Sequence, residues 1–147
     1  MTIDHRLVAV HKNKTLMVYL VDDDIDDLQI VREALLQHSY KGQVKTAVNG
    51  QVLMDDLAQP NGKTNPQVII LDLNMPLKNG FEVLREIKGN PSLNNIPVVV
   101  LTASANEYDE IQCLELGCSY FFRKPFSLDE YKPIVSVVKK FIVNQAI

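Results

Sequence analysis

Five short strand-like runs recur along the chain, and the stretches between them carry apolar residues at helical spacing. Few architectures accept that alternation. The runs are Leu16–Val21, Val44–Val48, Val68–Leu71, Val98–Leu101 and Ser119–Phe122. Their lengths suit strands, and the short, apolar Leu16–Val21 reads as a buried one. The first intervening stretch, Asp26–His38, spaces Leu28, Val31, Leu35 and Leu36 for one helix face and places acids in its first turn, where the helix dipole favours them. Val52, Leu53 and Leu57 suggest a short second helix ended by Pro60-Asn61-Gly62. Gly80–Lys88 forms a third, with Phe81, Leu84 and Ile87 on one side. Asn106–Leu116, stopped by Gly117, forms a fourth, and Leu128–Phe141 a fifth, with Pro133 tolerated near its start. A polar loop with two prolines runs from Gly89 to Pro97. Strictly alternating strands and helices imply an α/β domain: a doubly wound parallel sheet of five strands, covered on both faces by five helices.

In such sheets, ligands bind beyond the carboxyl ends of the strands, and four of the five runs end in groups with chemistry. The first enters Asp22-Asp23-Asp24. The third enters Asp72, followed by Asn74, Pro76 and Gly80. The fourth ends at Thr102, and the fifth enters Arg123-Lys124-Pro125. Asp22, Asp23 and Asp72 would crowd three negative charges together, with Lys124 offsetting one. The remaining repulsion raises a carboxylate pKa or invites a cation. An oxygen-only site of this kind suits Mg²⁺. Asp72 could then act as a nucleophile toward phosphorus, with Lys124 and Thr102 receiving the phosphoryl group. Asp24, Asp26 and Asp27 read as the solvated start of the first helix.

The rest of the chain narrows the alternatives. With 147 residues there is room for one domain and a full core. A net charge of −3 without a basic stripe argues against direct nucleic-acid binding. No apolar stretch reaches membrane-spanning length, and residues 1–15 lack the apolar block of a signal peptide, so a cytoplasmic location is expected. Cys113 and Cys118 match no zinc or disulfide pattern and read as small, reduced, apolar side chains.

The segments LVDDD, VIILDLNMPLKNG, VVVLTAS and FFRKPF together resemble the receiver domain of bacterial two-component response regulators. The likeness covers about Leu16 to Phe141. Its spacing agrees too: 30 residues separate Asp72 from Thr102, and 22 more lead to Lys124. The stretch from Asp72 through IPVVVLTAS is similar to small stand-alone receivers, including those that partner phytochrome-type kinases.

The resemblance implies a flavodoxin-like strand order of 2-1-3-4-5. It divides the chain into an arm (1–15), a receiver domain (16–143) and a tail (144–147). It makes Asp72 the phosphoacceptor and Asp22, Asp23, Asp72 and the Asn74 backbone carbonyl the Mg²⁺ ligands. Thr102 and Lys124 would contact the phosphoryl group, with a cis bond before Pro125. Thr102 and Phe121 would form the switch; many members have tyrosine where this chain has Phe121. The implied donor is a sensor histidine kinase or phosphotransfer protein. Output would pass through protein contacts to an unidentified partner, and the face from the fourth to the fifth helix would be available for a homodimer. Such a protein is a regulator rather than an enzyme, apart from slow autodephosphorylation. Two other readings stand beside it: an aspartate-based phosphohydrolase, which typically needs an acid where Asn74 stands and a covering cap, and a receiver-like module that never takes phosphate.

Overall fold

A computed structural model describes residues 16–59, 66–103 and 106–146. Five parallel strands are hydrogen-bonded in the order 2-1-3-4-5: β1 (Met17–Val21), β2 (Gln43–Ala47), β3 (Gln67–Leu71), β4 (Val98–Thr102) and β5 (Tyr120–Arg123). The helices between them are α1 (Ile25–Gln37), α2 (Gly50–Leu57), α3 (Gly80–Gly89), α4 (Glu107–Leu116) and α5 (Lys132–Ala146), the last preceded by a 3₁₀ turn at Asp129–Tyr131. The doubly wound parallel sheet expected from the alternation, with the flavodoxin-like strand order that the resemblance implies, is the arrangement observed. The arm at 1–15 and the Pro60-Asn61-Gly62 stop lie outside the described residues.

Strand alternation divides the core. Tyr19, Val21, Ile69, Leu71, Val98 and Val100 point to one face and pack with Leu53, Leu57, Val83, Leu84, Ile87 and Cys113 from α2, α3 and α4. Val18, Leu20, Val68, Ile70, Val99 and Leu101 point to the other and pack with α1 and α5 through Leu28, Val31, Leu35, Ile134, Val138 and Ile142. Two apolar faces per central strand explain why β1, β3 and β4 are continuous apolar runs rather than alternating ones. Cys113 and Cys118 are both free and buried, and burial pushes their thiols up to about 12 and about 11, which keeps them unreactive.

Side-chain caps fix the helix starts. Asp24 accepts from the Asp26 and Asp27 amides, Asn49 from Val52, Asn79 from Glu82 and Asn106 from Asp109. Gly117 ends α4 in the left-handed region at φ 105°. Pro133 is the second residue of α5, where its missing N–H is harmless. That helix runs five residues past the expected end at Phe141. Gln145 stabilises the extension by donating to the Gln67 carbonyl (2.8 Å) and accepting from the Gln67 amide (2.9 Å). These backbone groups belong to a residue beyond which β4 offers no ladder partner, since the β3–β4 register begins at Ile69 opposite Val98.

Candidate functional site

The strand order reverses at β1 and β3, and the site lies there. Register Val21↔Leu71 brings the two strand ends level, so Asp22 and Asp72 follow side by side. The Asp72 amide donates to the Val21 carbonyl at 2.9 Å. On the other flank Thr102 pairs with Arg123, and the Lys124 amide donates to the Thr102 carbonyl at 2.9 Å, which sets Lys124 beside the acids. Asp22, Asp72 and Thr102 are buried, and Asp23 is exposed. Ligand oxygens of Asp22, Asp23 and Asp72 all lie within 4.8 Å of one another. Asn74 Nδ2 donates to Thr102 Oγ1 at 3.4 Å.

Lys124 Nζ donates to Asp22 Oδ2 at 2.7 Å and to Asp27 Oδ2 at 2.6 Å, and stands 3.7 Å from Asp72 Oδ2. Burial alone would lower its pKa, but its hydrogen bonds to Asp22 and Asp27 and the Asp72 charge raise it, so the ammonium stays protonated. Asp72 Oδ1 is buried without a hydrogen-bond partner. A buried carboxylate oxygen left this way is costly. Together with two further carboxylates in reach, it fits a hard divalent cation, and that donor set is all oxygen.

The Asp22 carboxyl is pushed up to about 6, first by burial and further by the Asp72 charge, against the lowering hydrogen bonds from Lys124 and the Asp24 amide. Its unfolded value is near 3.8. Between about pH 4 and 6 the folded chain therefore holds more protons at this site than the unfolded chain, so this group's contribution to stability falls as pH rises through that window. In chelator, Asp22→Asn should gain stability relative to wild type on going from pH 4.5 to 7, by on the order of 2 kcal/mol. Denaturant melts at both pH values measure it; a pH-independent difference contradicts the shift.

Two expectations need correction. Asp27 is not part of a solvated helix start. It is half-buried and holds Lys124, while Asp24 caps α1 and Asp26 faces solvent. The signal was present: Asp27 lies four residues before Val31 and seven before Ala34, on the buried stripe of α1, where a carboxylate requires a partner. The bond before Pro125 is trans, since no described peptide bond is cis. Trans is favoured for an X–Pro bond by roughly 0.5–1 kcal/mol, and Lys124 reaches both acids with it. Phe121 is half-buried and packs against the core shared with α2, α3 and α4.

The response regulator receiver domain family matches residues 18–136. The chain is 37% identical over 132 residues to "Response regulator Rcp1" of Synechocystis sp., covering 88% of this chain and 90% of that protein. Among solved structures, the phosphorylated cyanobacterial phytochrome response regulator RcpA superposes with a TM-score of 0.75 at 34% identity, covering 90% of this chain and 97% of that one. The Mn²⁺-bound form of Rcp1 superposes with a TM-score of 0.66 at 37% identity, covering 86% and 93%.

Proposed function

Because the chain belongs to the response regulator receiver family, we propose that it is a single-domain response regulator that takes a phosphoryl group on Asp72 with Mg²⁺. The observation that carries this reading is Asp72 itself: buried at the end of β3, with Oδ1 unpartnered, two acids in reach and Lys124 at 3.7 Å. The donor is a phosphohistidine on a sensor histidine kinase or phosphotransfer protein. An Asp72 oxygen attacks phosphorus, the P–O bond forms as the P–N bond breaks, and the imidazole nitrogen leaves with the bonding pair. Thr102 donates a hydrogen bond to the phosphoryl oxygens, and Lys124 pairs with their charge.

Asp22, Asp23, Asp72 and the Asn74 backbone carbonyl would hold the cation, which when bound would neutralise the acids and offset charge on the phosphoryl group. The Mn²⁺-bound form of Rcp1 supports a divalent ion here. Asn74 disfavours the phosphohydrolase reading, because an amide cannot serve as the second acid. Slow autodephosphorylation, a cytoplasmic setting and a receiver domain over about residues 16–143 with 1–15 as an arm belong to the same proposal. No described helix is long and apolar enough to cross a membrane.

Output passes through protein contacts. Thr102 and Phe121 relay the change to the α4–β5–α5 face, where Ile111, Leu114 and Tyr120 are exposed. That face also serves a homodimer. The Phe121 ring lacks a hydroxyl, so its relay works by packing.

A Mg²⁺ titration of labelling by phosphoramidate tests the reading. Wild type should gain one phosphoryl group only with Mg²⁺. Asp23→Ala should need at least about tenfold more Mg²⁺. Asp24→Ala should keep the wild-type requirement and instead lose about 1 kcal/mol of stability through its missing cap. Labelling in the presence of chelator, or a larger Mg²⁺ requirement in Asp24→Ala than in Asp23→Ala, sinks the assignment.

A further inference from the structure

We propose that Asp27 is a positioning residue for the phosphoryl-transfer site: in the resting protein it holds the Lys124 ammonium off Asp72, and it gives up Lys124 when the phosphoryl group arrives. The inference rests on Asp72 being the phosphoacceptor. Lys124 has three donors. Two are committed, to Asp22 at 2.7 Å and Asp27 at 2.6 Å, while Asp72 lies farther off at 3.7 Å. Asp22 belongs to the three-acid cluster that fits a cation, and Asp27 does not. Asp27 is therefore the anion that stays available to Lys124 whether or not the cluster is neutralised.

The position of Asp27 also suits release. Its side chain is 31% exposed, against 8% for Asp22, and it lines an open groove with Lys124, Phe126 and Leu128. A carboxylate that loses Lys124 there meets water, so letting go costs far less than it would for a buried acid. Helix chemistry alone does not account for Asp27. Asp24 supplies the cap of α1, and Asp26 supplies exposed first-turn charge. Asp27 is the acid of this turn whose carboxylate is aimed at another element, 97 residues away in sequence.

A phosphoryl group bonded to Asp72 brings charged oxygens close to the Lys124 ammonium, which already stands 3.7 Å from Asp72 Oδ2. The two anions compete for one lysine. Removing Asp27 frees Lys124 for the phosphoryl group, so the site should bind a phosphoryl mimic more tightly.

The experiment measures beryllofluoride affinity at saturating Mg²⁺ by fluorine NMR. Asp27→Asn, nearly isosteric, should bind about three- to tenfold more tightly than wild type. Asp27→Glu restores the anion and should return the affinity toward wild type. In a Lys124→Met background, which keeps the apolar stem packed, Asp27→Asn should bring no gain. Unchanged or weaker binding by Asp27→Asn overturns the inference, as does an equal gain without Lys124, which would reveal only the loss of a nearby negative charge. If wild type binds no beryllofluoride, the phosphoacceptor reading falls and this inference falls with it; normal wild-type binding with no Asp27 effect overturns this inference alone.

Discussion

Asp72→Asn should reduce phosphoryl uptake from phosphoramidate by at least about a hundredfold while leaving the fold intact. The amide has nearly the volume of the carboxylate, so the buried position at the end of β3 stays filled. Its oxygen, however, is a poor nucleophile, and no other carboxylate occupies that place: Asp22 is tied to Lys124 and the Asp24 amide, and Asp23 is exposed. The substitution also removes one of three clustered negative charges. Without metal, the variant should therefore be at least as stable as wild type. Intact-mass measurement after phosphoramidate and Mg²⁺ treatment reads uptake, and a denaturant melt in chelator reads stability. Full labelling of the variant at another residue would show that the acceptor lies elsewhere. A large loss of stability would show that Asp72 has a structural role not accounted for by the site.

Gly80→Ala should be the most damaging single-methyl change near the site, costing about 3 kcal/mol. A Cβ at Gly80 would collide with the Asp72 backbone carbonyl oxygen and stand 2.6 Å from Leu73 Cα. Both obstacles are backbone, and the Gly80 amide is itself hydrogen-bonded to the Leu73 carbonyl at 2.9 Å. Neither side can yield cheaply, so α3 must move away from the segment that carries Asp72. Phosphoryl uptake should fall along with stability, because the displaced backbone is that of the proposed acceptor. Gly89→Ala is the matched control: nothing lies within 4 Å of a Cβ there, and alanine favours helix over glycine by about 1 kcal/mol. Denaturant melts and labelling yields of the two variants decide it. Equal behaviour of Gly80→Ala and Gly89→Ala would mean that α3 does not press on the acceptor segment.

Most of the fold was legible because its signals are local. Five strand-like runs with helical stretches between them leave a parallel sheet as the economical solution, and Val98–Leu101 reads as a strand whatever surrounds it. Helix ends were less legible. The cap at Asn106 and the stop at Gly117 are written in adjacent residues, but α5 extends past Phe141 because Gln145 meets Gln67, which lies 78 residues earlier.

The site divides in the same way. Asp22, Asp72, Thr102 and Lys124 could be found from sequence, since each stands at or just beyond the end of a strand and the parallel register makes those ends converge. The direction in which Lys124 extends could not. Whether its ammonium sits on Asp22, Asp27 or Asp72 depends on distances across three elements, and differences of about 1 Å among them are set by how α1 packs on the sheet. For the same reason Asp27 looked like one more acid at a helix start. The sequence by itself determined which residues reach the carboxyl edge of the sheet, because period, length and turn chemistry are properties of neighbouring residues. Only the tertiary structure decided which charges pair there, because Coulomb attraction and desolvation depend on separation and burial in space.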